Sequence, residues 1–218
     1  MNTSKALGRP RRKTKSGKND STREQLLAAA EQLFAEHGFA GASFRTLGAS
    51  VGLSNAAMLY YYPSKKKLYA AILTRVENSF RHGLLRIELR GDPVERVRCI
   101  VDYQLAWGRE HPAYVQIMMR DLVENRDRIQ YARKMAMQES MSFIQRVYWD
   151  LTATGRLRDI DPAMLQYLIS GAIIYFQIAL PTISRLLDHP DWNGLERGFA
   201  GTIHAVLQRC LTDTSSRR

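Results

Sequence analysis

The run from Ser43 to Lys65, SFRTLGASVGLSNAAMLYYYPSK, restricts the fold of this chain more than any other stretch. Ser43 can cap a short helix whose Phe44, Leu47 and Val51 turn inward, and Ser54 can cap a second one running through Tyr61. Gly52 between them permits a sharp turn, because glycine enters the left-handed region without a Cβ penalty. Met58 and Tyr62, four positions apart, fall on the inward face with Leu53, while Leu59, Tyr60 and Tyr61 fall outward. Two short helices joined by a tight turn, with the first turn of the second left projecting, form a helix-turn-helix.

The rest of the chain is punctuated in the same way. Ser21-Thr22-Arg23-Glu24 has the spacing of a capping box, followed by Leu26, Ala30, Leu33 and Phe34 at helical spacing and a glycine stop near His37-Gly38. Ser64 begins a long helix expected to reach about Leu89. Asp92-Pro93 and Asp161-Pro162 each place proline in a first helical turn behind a capping acid. Further helices are predicted at 93–109, 112–124, 128–154, 162–188 and 191–212. No stretch alternates like a strand and none repeats. The expectation is an all-α chain of about nine helices, a three-helix N-terminal unit followed by a larger helical domain.

The net charge of +11 is concentrated rather than spread. Residues 1–18 hold seven lysines and arginines and no acid, whereas from Tyr69 onward 20 basic residues face 17 acidic ones. A basic arm of this kind attracts phosphate, and its polar composition predicts disorder over 1–19 when free. Pro162 to Ser184 runs for 23 residues without a charge, long enough for a membrane span. Gln166, Ser170, Gln177 and Pro181 within it favour instead a helix buried by protein, such as a subunit interface. Cys99 and Cys210 lie in apolar helical contexts without metal or disulfide spacing and are read as buried thiols. Residues 1–20 lack the apolar segment of a secretory signal, so a cytoplasmic protein is expected.

In a helix-turn-helix the first turn of the second helix meets base edges in the DNA major groove. Here that turn is Asn55, Ala56 and Ala57, behind Ser54. Asparagine can pair bidentately with adenine, and alanine allows close approach to a thymine methyl. Tyr60, Tyr61 and the cluster opened by Lys65 suit phosphate oxygens, as do Arg45 and Thr46 at the start of the preceding helix.

The segment LLAAAEQLF (26–34), the HGF at 37–39, Ser43, LGASVGLS (47–54), Tyr60, Ser64-Lys65 and Leu68 keep one order and spacing without a gap. Over residues 21–70 the chain thereby resembles the DNA-binding domain of TetR-family bacterial transcriptional regulators. It departs from that pattern at Ala56-Ala57, where glycine then threonine or alanine is usual, and at Leu59 and Tyr62 in place of a Tyr-Tyr-His-Phe run. Leu59 removes a phosphate-contacting hydroxyl, and Tyr62 puts a hydroxyl at an inward position where it needs a partner. Lys66 stands where an acid is frequent. Gly8-Arg9-Pro10-Arg11 resembles the core of an AT-hook, in which Arg9 and Arg11 would enter a narrow minor groove; a nonspecific phosphate tether is the equal alternative.

The resemblance implies an arm (1–19), a DNA-binding domain (20–68), a helical ligand-binding and dimerisation domain (69–213) and a short tail (214–218). Helix 162–188 is apolar almost all round and helix 191–212 has a small-residue face, which supports a homodimer through Leu168, Gly171, Phe176, Leu195, Gly198, Phe199 and Ile203. Tyr103, Trp107, Met118, Met141, Tyr148 and Tyr175 are candidates to line a pocket for a mostly apolar or aromatic small-molecule effector, although at helical spacing such residues are more often plain core. No nucleophile elbow, phosphate loop, metal cluster or carboxylate pair is visible, so no catalytic residue, cofactor or metal is expected. The leading reading is a dimeric repressor released by its effector from a palindromic operator in double-stranded DNA. A helical carrier or enzyme that kept the fold, and a module that binds through the arm alone, are the competitors.

Overall fold

The structure is a computed structural model that describes residues 15–87, 91–124, 137–186 and 192–211. Nine α-helices lie within them: α1 (Lys15–Gly41), α2 (Phe44–Ser50), α3 (Asn55–Tyr61), α4 (Lys65–Leu84), α5 (Pro93–Glu110), α6 (Pro112–Glu124), α7 (Gln138–Ala153), α8 (Pro162–Leu186) and α9 (Trp192–Cys210). Among the described residues there is no strand, only one antiparallel bridge between Leu157 and Leu211.

The N-terminal unit closes on Leu26, Ala30, Phe34, Leu47, Met58 and Tyr62, all buried. Its three following helix starts are each closed by a serine, and the rise of each helix from its cap sets the next direction of the chain. Ser43 Oγ accepts from the Thr46 amide at 3.1 Å, Ser54 Oγ from Ala57 at 3.2 Å, and Ser64 Oγ from Lys67 at 3.2 Å. The α2–α3 turn is unusually tight. The Leu53 amide donates to Gly48 O at 2.8 Å, and a Cβ on Gly48 would meet Leu53 O at 2.6 Å. Gly52, at φ 68°, completes the turn in the left-handed region.

Two helix limits differ from expectation. Helix α1 begins at Lys15, so Ser21 lies inside it and residues 15–19, read as part of a disordered arm, are helical. The helical geometry breaks at Gly38, φ 67°, where the stop was expected. Helix α4 ends at Leu84, short of Leu89, where the Leu85 amide donates back to Arg81 O and the Arg86 amide to Gly83 O, so the last turn winds tight. The remainder of the arm (1–14), residues 128–136 of the seventh predicted helix and the tail lie outside the described residues.

Helices α4 to α9 enclose a second part of the same apolar core, built on Ile72, Val76, Phe80, Val97, Ile100, Val101, Ile117, Ile144, Leu151, Leu165, Ile169, Ile173 and Leu207. Helix α8 has the length and composition of a membrane span, yet Leu165, Ile169, Ile173 and Leu180 are buried against protein. The thiols correct the sequence reading: Cys99 is exposed and Cys210 half-buried, because the buried stripe of α5 runs through Val97, Ile100 and Val101 instead.

Candidate nucleic-acid interface

The cap, the turn and Met58 beneath them present the first turn of α3 to solvent. Ser54, Asn55 and Ala56 are exposed and Ala57 is half-buried. Tyr60 is 74% exposed, Leu59 stands beside it at 44%, and the Tyr60 ring meets Tyr61 edge-on with centroids 5.3 Å apart. Arg45 and Thr46 are exposed at the start of α2, where the Thr46 hydroxyl lies 2.8 Å from Ser43 Oγ. Arg9 and Arg11 lie outside the described residues.

Lys65 is placed differently from the solvent-facing clamp expected of it. Its Nζ donates to Ala40 O at 3.3 Å and stands 4.6 Å from the centre of the Phe39 ring, so it is folded back onto the end of α1. Lys66 and Lys67 of the same cluster are exposed at the α4 N-terminus. The inward hydroxyl of Tyr62 has the partner it needed: Arg23 Nε donates to it at 3.1 Å, with the guanidinium 5.4 Å from the ring centre. Tyr61 Oη donates to Asn19 Oδ1 at 3.3 Å. These two contacts tie α3 to the first turns of α1, a connection the sequence pattern did not reveal because the partners lie about forty positions apart.

The interface is also joined to the rest of the molecule through α6. Arg120 donates from Nε to Ala35 O and from Nη2 to Glu36 O, each at 2.9 Å, capping the carbonyl end of α1 with a cation. Deeper in the seam, Tyr114 Oη donates to Glu31 Oε1 at 3.2 Å and Arg75 Nε lies 2.7 Å from the same oxygen. Arg75 also pairs with Glu24 and donates to Tyr114 Oη at 3.2 Å. Burial pushes the Glu31 carboxyl above its usual range, with Arg75 and Tyr114 opposing the shift. Three helices, α1, α4 and α6, thus meet at one charge-assisted knot. Asp121 is buried in the same seam and bonds to Tyr69.

The expected pocket residues do not converge. Tyr103 Oη donates to Phe80 O at 2.6 Å and Trp107 Nε1 to Ser79 Oγ at 3.0 Å, so both side chains brace α5 against α4. Burial raises the Tyr103 phenol to about 12. Met118 and Met141 are half-buried. Tyr148 has no solvent exposure and its hydroxyl has no partner among the described residues. Tyr175 is 68% exposed and is corrected to an outward position, since Ile169 and Ile173 take the buried stripe of α8.

Helices α8 and α9 divide the expected interface residues in two. Leu168, Gly171 and Gly198 are exposed, alongside Met164, Tyr167 and Tyr175. A Cβ on Gly171, Gly198 or Gly201 would meet nothing within 4 Å. Phe176 and Phe199 instead stack on each other within the chain, 4.0 Å apart and 4° from parallel, and Ile203 is buried. These three are corrected to contacts that hold α9 onto the core, and Leu195 beside them is half-buried.

Residues 26–72 match the family model described as bacterial regulatory proteins, tetR family. The HTH-type transcriptional repressor NicS of Pseudomonas putida is 29% identical over 165 residues, covering 72% of this chain and 76% of its own length. The HTH-type transcriptional regulator RutR of Escherichia coli is 22% identical over 165 residues, covering 74% and 76%. A tetR-family bacterial regulatory protein from Rhodococcus superposes with a TM-score of 0.71 at 15% identity, covering 88% of this chain and 98% of the other. AibR, solved in complex with isovaleryl coenzyme A and operator DNA, gives 0.67 at 17% identity, covering 84% and 98%.

Proposed function

The chain belongs to the TetR family of bacterial regulatory proteins and is a DNA-binding transcriptional regulator, and on that premise we propose that it is a homodimeric repressor released from a palindromic operator by a small effector. The observation that carries the reading is the α3 surface, whose capped and exposed first turn stands on a fully buried Met58. Asn55, Ala56 and Ala57 read base edges there, while Arg45, Thr46, Ser54, Tyr60 and Tyr61 hold the backbone. Lys65, engaged with Ala40 O, steadies the α1–α4 corner and reaches a phosphate only by leaving that carbonyl. The arm, with Arg9 and Arg11, adds grip through phosphate or the minor groove.

The open faces of α8 and α9 support the dimer. Leu168, at 62% exposed, and its apolar neighbours form a stripe with no partner in one chain, bordered by glycines that admit close helix approach. A two-fold dimer presents its recognition helices about 34–36 Å apart, one turn of DNA, or a multiple of it. Effector binding among the middle helices moves α4, and through Arg75 and Arg120 it moves α1, so the spacing changes and DNA is released by population shift. That AibR is solved with both operator DNA and an acyl coenzyme A supports a body able to bind a small molecule.

In vitro selection of duplexes with the full chain tests this directly. A palindrome is the expected product. Equal retention of selected and random duplex removes sequence-specific regulation. Leu168→Glu is expected to give monomers in sedimentation and to lose operator affinity; unchanged dimers would remove the α8–α9 interface. Deleting residues 1–14 should keep operator preference while flattening the salt dependence, whereas an arm-only binder would lose all DNA binding.

A further inference from the structure

The ring of Tyr62 is 4% exposed and closes the core of the head, a place that a phenylalanine would fill equally with no polar group to satisfy. What the hydroxyl adds is a hold on Arg23. Arg23 Nε donates to it at 3.1 Å, and the guanidinium lies 5.4 Å from the ring centre. Arg23 is itself exposed, and a hydrogen bond at the surface exchanges with water and contributes little to stability. Its effect is on geometry: it fixes the direction of a long side chain that otherwise samples many rotamers.

Tyr62 takes only the donor on Nε, so the two terminal nitrogens of the guanidinium keep their N–H groups for another acceptor. No ion pair uses them among the described residues. Glu24, the next residue, pairs with Arg75, and Asp20, three residues earlier, acts on Arg23 through its field alone. A free guanidinium fork matches two oxygens of a phosphate, and its place in the head suits one. Asn19, one turn before Arg23 on the same face of α1, accepts from Tyr61 Oη at 3.3 Å. Tyr61 is read above as holding the DNA backbone. A phosphate oxygen within reach of its hydroxyl therefore stands on the flank of α1 that carries Asn19 and Arg23. Leu59, which has no hydroxyl, supplies no such grip from α3.

We propose that Arg23 is a phosphate contact of the DNA interface and that Tyr62 is its positioning residue, holding the guanidinium through Nε while the terminal nitrogens meet the backbone. This rests on the DNA-binding reading of the α3 surface above. Because the fork is set before DNA arrives, less side-chain freedom is lost on binding. A phosphate carries no sequence information, so the contact strengthens every duplex alike and leaves the choice of sequence to Asn55, Ala56 and Ala57.

The test measures binding of the full chain to the selected operator and to random duplex over a series of salt concentrations, with circular dichroism melts alongside. If wild-type protein binds the two duplexes equally, the sequence-specific reading falls, and the random-duplex series still tests Arg23. Arg23→Met is expected to weaken both duplexes about tenfold and to reduce the slope of log affinity against log salt by about 2, near one counterion for each protomer of a dimer. Arg23→Lys keeps the charge and should keep the slope. Tyr62→Phe should weaken both duplexes about threefold in the wild-type background and change nothing in the Arg23→Met background. Equal slopes for wild type and Arg23→Met would remove the phosphate contact. So would an Arg23→Lys slope as low as that of Arg23→Met, because the loss would then come from a disturbed α3. A Tyr62→Phe penalty that persists in the Arg23→Met background would remove the positioning role.

Discussion

The DNA-binding head and the helical body are held together by hydrogen bonds of opposite reach. In the head, the contacts that cap the helices are three residues long, Ser43 to Thr46, Ser54 to Ala57 and Ser64 to Lys67, and only the Tyr61 and Tyr62 bonds to Asn19 and Arg23 reach about forty. In the body and its seam they span 63 residues for Ser140–Glu77, 83 for Tyr114–Glu31 and 85 for Arg120–Ala35. Local caps fix where a helix begins and hence which turn it offers to DNA. Long-range contacts fix which helices move together, which is what a regulated protein must control. On the function proposed above, the head would serve as a reading surface built to stay constant, and the body as the part in which conformational change is driven.

The comparison breaks most visibly at Met58. Met58→Ala empties a fully buried site and should cost about 3 kcal/mol, read as loss of operator binding with the body still folded in circular dichroism. A single shared melting transition that merely shifts would show that head and body are one cooperative unit. Arg75→Met tests the seam. It leaves Glu31 buried without its cation and should cost about 2 kcal/mol in thermal denaturation. The penalty should diminish on acidification as Glu31 takes up a proton. Asn55→Ala should leave the melting curve unchanged and weaken operator binding by about 1.5 kcal/mol, roughly tenfold, with little effect on random duplex.

The smallest effect is expected in the body. Burial raises the Glu77 carboxyl, so the folded state holds this proton more tightly than the unfolded one. Its contribution is fully present below the unfolded value and is lost as pH rises through the folded one. Glu77→Gln should therefore stabilise the protein by about 1 kcal/mol at neutral pH. The gain should vanish in mildly acid buffer, as followed by urea denaturation.

The same division explains what could be read from the chain. The limits of α2 and α3, the Ser64 cap and the exposed Asn55 turn were all legible, since each depends on residues within one helical turn. The start of α1 was not. The capping box at Ser21 is sound chemistry, but Asn19 and Arg23 are held by Tyr61 and Tyr62, and those partners let the helix run back to Lys15. Tyr175 and Tyr148 share a residue type and a helical setting, yet one faces solvent and the other has no exposure at all. Only the rotation of α7 and α8 about their axes separates them, and many weak packing contacts set that rotation. The division of α8 and α9 into an outward glycine-bordered face and an inward Phe176–Phe199 stack escaped the sequence for the same reason.

The bracing of α3 onto the first turns of α1 has a kinetic consequence. Asn19 and Arg23 anchor the root of the basic arm to the two tyrosines that end the recognition helix. A displacement of α3 therefore carries the root of the arm with it, so in the release proposed above the two grips would move together rather than one after the other.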